Sequence, residues 1–359
     1  MKIDDILDMA LLNEMVEQRY VNIQTGFGLR IYNYSQKAQF DNMWNDVTTT
    51  CRGLITDEDG NIVARPFRKF FNYGQMESIP DGPFIVQEKM DGSLGIIYPR
   101  PDGTLAVATR GSFQSEQAEW ATDWLNSNPA CLAEAWKMVR ANLTPLVEII
   151  YPTNRIVVDY GNKADLTFLA AIDNETGLDT DGYTVIDPET GMSFDGYWPG
   201  EVAPFHNGLD MDAVLSTQRD NAEGFVLRWE DGTRVKVKHD EYIRLHRLLT
   251  GVNARTIWEL LANGTGIDQL IEVVPDEFYD WVMSTVESLK AEFFRVAAMA
   301  AIDFTTVPLE ASRREQAEII KTFKYPSIGF AMLDNKNYDP IIWKIIRPEA
   351  TLPFKKDES

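Results

Sequence analysis

The sequence predicts an α+β fold: a domain built on antiparallel, hairpin-connected strands over residues 1–247, then an all-helical domain over residues 248–359. Three observations predict it. The first is a repeated hairpin pattern, in which an Asp-Gly turn stands between two apolar, alternating runs. It occurs at residues 53–56 and 62–65 around Asp59-Gly60, at 94–98 and 104–109 around Asp102-Gly103, and at 223–229 and 233–238 around Asp231-Gly232. The second is that only residues 114–142, rich in Trp, Ala and Glu, interrupt these strands as a helical stretch, so regular βαβ alternation is excluded. The third is a change of period after about residue 245, where apolar residues begin to recur every three and four positions.

Taken in order, residues 1–24 read as a helix, since Ile6, Leu7, Ala10, Leu11, Met15 and Val16 recur at helical spacing. Gly26-Phe27-Gly28 lacks the third glycine of a dinucleotide fingerprint and reads as a turn into a strand at 29–34. Phe84-Ile85-Val86 opens another strand, and 146–151, 156–158 and 166–172 are strand-like. Asp179-Thr180-Asp181-Gly182 lacks the spaced ligands and closing Glu of a calcium loop, which leaves turn chemistry. In the last third, Ile257, Leu260 and Leu261 mark one helix. Pro275 opens a longer one carrying Phe278, Trp281, Val282, Val286, Leu289, Phe293 and Val296, and 309–323 gives a third. The tail 351–359 is expected to fray.

The bulk properties bound the function. With 359 residues and 44% hydrophobic content the chain supports two folded domains. No apolar window is long enough for a membrane helix, and the acidic start Met1-Lys2-Ile3-Asp4-Asp5 is not a signal peptide. Two cysteines, Cys51 and Cys131, and three histidines argue against a disulfide framework and a structural zinc site, and fit a reducing cytoplasm. A net charge of −21 argues against a generic nucleic-acid binder. Two basic groups stand out against it: Arg52, Arg65, Arg68 and Lys69, and Arg228, Arg234, Lys236, Lys238, Arg244 and Arg247. Local cations in an acidic shell suit an enzyme that grips a few phosphates.

The chemistry centres on Glu88-Lys89-Met90-Asp91-Gly92-Ser93. A lysine at a strand end is an ordinary surface feature unless burial or neighbouring cations lower its pKa, which makes it a nucleophile. Glu148, a lone carboxylate in an apolar strand, either faces solvent from an edge strand or lines a cleft. Lys236 and Lys238 share one strand face, opposite Val235 and Val237, and are either solvated or clamp phosphates. Taken singly, each has a bland reading.

Their order does not. Lys89-Met90-Asp91-Gly92-Ser93, Arg110-Gly111-Ser112, Glu148, Glu223-Gly224-Phe225-Val226 and Lys236-Val237-Lys238 resemble the motif series of covalent nucleotidyltransferases, the RNA ligases, DNA ligases and mRNA capping enzymes. Cys51-Arg52-Gly53-Leu54-Ile55, Arg65-Pro66-Phe67-Arg68-Lys69-Phe70-Phe71-Asn72, Tyr151-Pro152-Thr153-Asn154-Arg155 and Tyr242-Ile243-Arg244-Leu245-His246 narrow the resemblance to RNA ligase family 1, the bacteriophage T4-type RNA ligases. It covers residues 30–250. Arg110 departs from the pattern, standing where the family carries a lysine, and a guanidinium fork is not a point charge.

The resemblance implies an antiparallel-sheet, ATP-grasp-like nucleotidyltransferase domain and a helical domain that sets RNA specificity. It implies a reaction with ATP and Mg2+, with Mn2+ as a substitute. Lys89 forms a lysyl-AMP, AMP passes to an RNA 5′-phosphate, and an RNA 3′-hydroxyl displaces it. Lys236 and Lys238 hold the α-phosphate, and Arg52 and Lys69 hold the outer phosphates. Glu148 binds the ribose or metal waters, while Asp91 and Glu223 place the cation through water. Glu88, Tyr242 and Arg110 are further nucleotide contacts. The implied partner is tRNA or single-stranded RNA, acted on by a monomer during repair in the cytoplasm of a phage-infected cell. The alternatives are a DNA ligase or GTP-dependent capping enzyme, whose appended OB-fold needs strands after residue 250, and a non-catalytic RNA-end-binding protein.

Overall fold

The computed structural model describes residues 1–76, 78–180, 184–186, 193–195, 197–249, 253–264, 276–308 and 310–348. The chain divides into two compact units, Met1–His246 and Arg247–Ser359. The first is α+β and is built on three four-stranded sheets.

The first sheet runs Val21–Gly26, Leu29–Tyr34, Arg52–Asp57 and Ile62–Ala64, antiparallel throughout. Here the expected N-terminal helix is corrected. The helix is confined to Met9–Glu17, and Arg19, at φ 62°, turns the chain into a strand that contains residues 21–24. Val21, Ile23 and Thr25 are β-branched and pair across the turn at Phe27 and Gly28, whose φ values of 56° and 70° suit a tight hairpin.

The second sheet has the order Asp165–Asp173, Leu143–Ile150, Ser93–Pro99 and Leu105–Ala108. One face packs on the first sheet through Ile31, Ile55, Ile96, Tyr98 and Leu146. The other is covered by helices Glu116–Ser127 and Pro129–Arg140, which bring Leu125 and Met138 against Val147 and Ile149. Leu143–Ile150 is an inner strand, so Glu148 does not look out from a sheet edge.

The third sheet has the order Phe71–Asn72, Arg234–Lys238, Gly224–Trp229 and Phe84–Lys89. Its back is apolar, with Val86, Phe225, Leu227, Trp229 and Val235 packed on Val214. Alternation then sends Gln87, Lys89, Val226, Lys236 and Lys238 to the front. Residues 201–206 lash the second and third sheets together. Phe168 N donates to Glu201 O at 2.8 Å, Glu88 N to Pro204 O at 2.7 Å and His206 N to Val86 O at 2.8 Å. Residues 156–158, expected as a strand, form none, and the amides of Val157 and Val158 donate to Asp91 instead.

The described part of the second unit is helical: Ala254–Ala262, Asp276–Phe304, Arg313–Ile320, Pro326–Leu333 and Asp339–Ile345. Its core gathers Val296, Ala300, Ile328 and Ile342. The helix expected over 309–323 is shorter, because Ser312 caps it and exchanges hydrogen bonds with Glu315. Pro275, the end of the 179–182 turn and the 351–359 tail lie outside the described residues. Among the described residues no helix is long and apolar enough to cross a membrane. Both cysteines are free and buried, and burial pushes the Cys51 thiol up to about 12.

Candidate active site

The front of the third sheet sets the site out as a grid. Lys89, Gly224 and Lys238 lie side by side across three strands, and Gln87, Val226 and Lys236 form the next row. Neighbouring strands are about 4.8 Å apart, so the two rows bring three lysines onto one small floor. They are shielded from solvent to different degrees: the Lys238 side chain is 4% exposed and that of Lys89 is 21% exposed. Glycine is required between them. Gly224 has φ +147°, and a Cβ there would sit 2.0 Å from Val237 O.

Glu223, buried just before that glycine, takes up the charge. Its Oε1 is 2.8 Å from Lys89 Nζ and 2.6 Å from Lys238 Nζ. Lys238 Nζ also stands 4.9 Å from the centre of the Tyr242 ring.

Above the floor is a cavity of about 180 Å³. Gln87, Lys89 and Val226 line it from the third sheet, Leu94, Glu148 and Leu169 from the second, and Arg52, Phe67 and Phe70 close it. The Arg52 guanidinium lies over the Phe70 ring, 5.4 Å from its centre, and Lys236 Nζ lies 5.9 Å from the same centre, so both cations meet one aromatic ring. Gly92 lets the nucleophile loop close on the second sheet, since a Cβ there would come within 2.6 Å of Ile149 O and 3.1 Å of Glu148 Cγ. Burial pushes the Glu148 carboxyl up to about 8, against the pull of Lys89; Glu223 and Asp91 push it the same way as burial.

Asp91 does something else. It is 3% exposed. Val157 N and Val158 N donate to its Oδ2 at 2.8 and 2.7 Å, and Tyr242 OH donates to its Oδ1 at 2.7 Å. Its own amide donates to Tyr160 OH at 2.8 Å. Both carboxylate oxygens are therefore engaged in fixing the loop that carries Lys89. The carboxylate of Glu88 faces away from Lys89: Arg219 Nη1 donates to its Oε2 at 2.5 Å, and His206 Nε2 lies 2.7 Å from the same oxygen. Lys69 and Arg110 stand outside the cavity wall. Lys69 sits among Tyr34, Trp44 and Phe71, and Arg110 Nη1 donates to Tyr34 OH at 2.5 Å.

The structure thus brings Lys89, Lys236, Lys238, Glu148, Glu223 and Arg52 to one place, with Tyr242 and Asp91 as props; Glu88 is part of the cavity lining with its carboxylate held by Arg219 and His206, and Lys69 and Arg110 stand outside it. Sequence reasoning missed Gln87, Val226, Leu169, Phe67 and Phe70. The signal for the first two was present, since period-two alternation puts Gln87 on the face of Lys89 and Val226 on the face of Gly224. Leu169 reaches the cavity only through sheet pairing, which sequence does not show.

The family model described as RNA ligase matches residues 50–242, more than half of the chain. The chain belongs to the RNA ligase family. The match takes in every site residue named above, from Arg52 to Tyr242. A protein of Thermovibrio ammonificans, provisionally named an RNA ligase, is 24% identical over 325 residues, 82% of each chain. A provisionally named bifunctional polynucleotide kinase/RNA ligase of Autographa californica nuclear polyhedrosis virus is 28% identical over 188 residues, 44% of this chain and 27% of that one. Among solved structures, a mutant of Naegleria gruberi RNA ligase with ATP and Mn aligns at a TM-score of 0.33 and 18% identity. It covers 46% of this chain and about half, 51%, of its own.

Proposed function

We propose that this RNA ligase family member joins RNA ends with ATP through a lysyl-AMP intermediate, with Lys89 as the nucleophile. The observation that carries this reading is the Lys89–Glu223–Lys238 cluster, with Lys89 and Arg52 lining the cavity beside it. Lys89 Nζ attacks the α-phosphorus, the bond to the β-phosphate oxygen breaks, and pyrophosphate leaves. The ammonium must first lose its proton. Glu223 Oε1, 2.8 Å from Nζ, is the carboxylate oxygen within reach to accept it. Lys238 and Lys236 then neutralise the α-phosphate and disfavour a third positive charge on Lys89. AMP passes next to an RNA 5′-phosphate, and an RNA 3′-hydroxyl displaces it.

Val226 and Leu169 are the facing apolar walls for the adenine, and Glu148 borders the ribose. Arg52 takes the outer phosphates, while Lys69 and Arg110, outside the wall, add positive field at that end. Two carboxylates, Glu148 and Glu223, suit a Mg2+ ion that keeps most of its water, and the described residues hold no group of three or more His, Cys, Asp and Glu side chains able to bind a metal. Mg2+, when bound, neutralises phosphate charge. Asp91 we reassign from cation placement to holding the loop. The helical unit is our candidate for presenting the RNA. Its described residues contain no strand, which speaks against the appended barrel of DNA ligases and capping enzymes.

Incubation with α-labelled ATP and Mg2+ should leave label on the wild-type protein and none on Lys89→Ala. Survival of the label in that variant overturns the assignment. Parallel reactions with RNA and DNA ends separate the ligase classes.

A further inference from the structure

We propose that Gln87 is the residue that reads the purine base, accepting a hydrogen bond from the 6-amino group of adenine and rejecting guanine; the proposal rests on the adenylyltransferase reading above. Gln87 lies two residues before Lys89 on the same strand, on the same face, and directly across from Val226. It lines the cavity together with Val226 and Leu169. A base seated on Val226 has the Gln87 amide beside it, since the two are cross-strand neighbours on one sheet face.

The orientation of that amide is not free. Its Nε2 donates to Leu169 O at 3.1 Å and to Ala203 O at 3.4 Å. Both neighbours are backbone carbonyls, which only accept, so the nitrogen must be the atom that faces them. The carbonyls are themselves fixed. Leu169 belongs to the strand Asp165–Asp173, and Ala203 belongs to the segment that lashes the two sheets together. With both N–H bonds directed to these carbonyls, Oε1 is an acceptor with no hydrogen-bond partner among the described residues.

Adenine presents a 6-amino donor, and guanine presents a 6-oxo acceptor. The first pairs with Oε1. The second meets it acceptor to acceptor. Turning the amide over to suit guanine would set Oε1 against two carbonyl oxygens and leave those carbonyls without their donors. A site that pairs with a polar group discriminates strongly against a ligand that cannot return the bond. None of this touches the reacting phosphorus, so Gln87 acts on nucleotide choice and not on the chemical step.

The test measures initial rates of lysine labelling with ATP, GTP and purine riboside triphosphate, which lacks the 6-amino group. We expect the wild type to show a KM for purine riboside triphosphate roughly tenfold or more above that for ATP, the size of one lost buried hydrogen bond. In Gln87→Met, a near-isostere without the acceptor, the KM for ATP should rise to meet that of purine riboside triphosphate, with kcat for labelling nearly unchanged. Gln87→Leu repeats the measurement should the Met variant fold poorly, and the analogue series on the wild type needs no variant. Equal use of ATP and purine riboside triphosphate by the wild type overturns the proposal, as does a Met or Leu variant that keeps the wild-type preference. Absence of label from every nucleotide is a different result, and it overturns the adenylyltransferase reading itself.

Discussion

Lys89 and Lys238 meet on a single oxygen: Glu223 Oε1 lies 2.8 Å from one ammonium and 2.6 Å from the other. Either lysine alone still satisfies that carboxylate. Lys238→Ala should therefore leave the fold nearly intact, moving unfolding free energy by less than about 2 kcal/mol, because no buried charge is left alone. Catalysis has no such reserve, since a cation facing the α-phosphate is gone. Labelling of Lys89 should drop about a hundredfold or more. Urea titration and single-turnover labelling check the pair of values. A loss of stability that accounts for the lost activity would assign Lys238 to the fold alone.

The same logic reverses at Asp91. Its two oxygens accept from Val157 N, Val158 N and Tyr242 OH, three donors buried with it. Asp91→Ala leaves all three without acceptors, at roughly 1–3 kcal/mol for each. We expect it to be among the more destabilising single changes in the first unit, with a loss of at least about 3 kcal/mol in urea. We also expect the Mg2+ concentration dependence of any residual labelling to match the wild type. A Mg2+ requirement that rises strongly in Asp91→Asn would return this carboxylate to the cation.

Gly224 is the tightest point of the grid. At φ +147°, with Val237 O 2.0 Å from an ideal Cβ and Lys238 Cα 2.7 Å from it, alanine cannot be seated without parting the two strands that carry Glu223 and Lys238. Backbone strain and overpacking act together, about 3 kcal/mol or more. Gly224→Ala should lower the melting temperature and lose labelling together. Gly103→Ala, at a turn where the Cβ meets nothing within 4 Å, should lower stability only modestly, through its φ of +83°. Equal melting temperatures for the two variants would show that the strands yield.

These contrasts explain what was legible in the sequence. The hairpins were, because Asp102-Gly103 and Asp231-Gly232 announce their turns locally, and so was the shared face of Lys236 and Lys238, which needs only period two. The part played by Asp91 was not. Its partners lie 66, 67 and 151 residues away, and nothing near Asp91 distinguishes a loop anchor from a cation ligand. Residues 156–158 look like a strand because Ile156, Val157 and Val158 are apolar and β-branched, yet the amides of Val157 and Val158 are claimed by that distant carboxylate. The strand at Val21–Gly26 was hidden by the apolar period just before it, since periodicity does not record the left-handed turn at Arg19. Arg52 and Lys69 belong to one basic group in the sequence, and only the structure shows that Arg52 lines the cavity while Lys69 Nζ sits among Tyr34, Trp44 and Phe71.

Glu148 gives the site a pH dependence of predictable sign. Burial holds its carboxyl at about 8 in the folded protein, against 4.5 for the unperturbed group. Between those values the unfolded chain has released this proton while the folded chain keeps it, so this residue's contribution makes stability fall as pH rises through the window and then level off above it. Glu148→Gln removes the titration but keeps the shape. The stability of the wild type relative to this variant should therefore decline from pH 5 to pH 9, by at least about 1 kcal/mol, less than the equivalent of one full pKa unit. Urea midpoints of both proteins across that range decide it, and a constant difference would show that the carboxyl is ionised throughout. Adding Mg2+ without nucleotide would bring cationic charge beside Glu148, which favours the carboxylate. The decline should then shift toward lower pH in the wild type and stay absent in the variant.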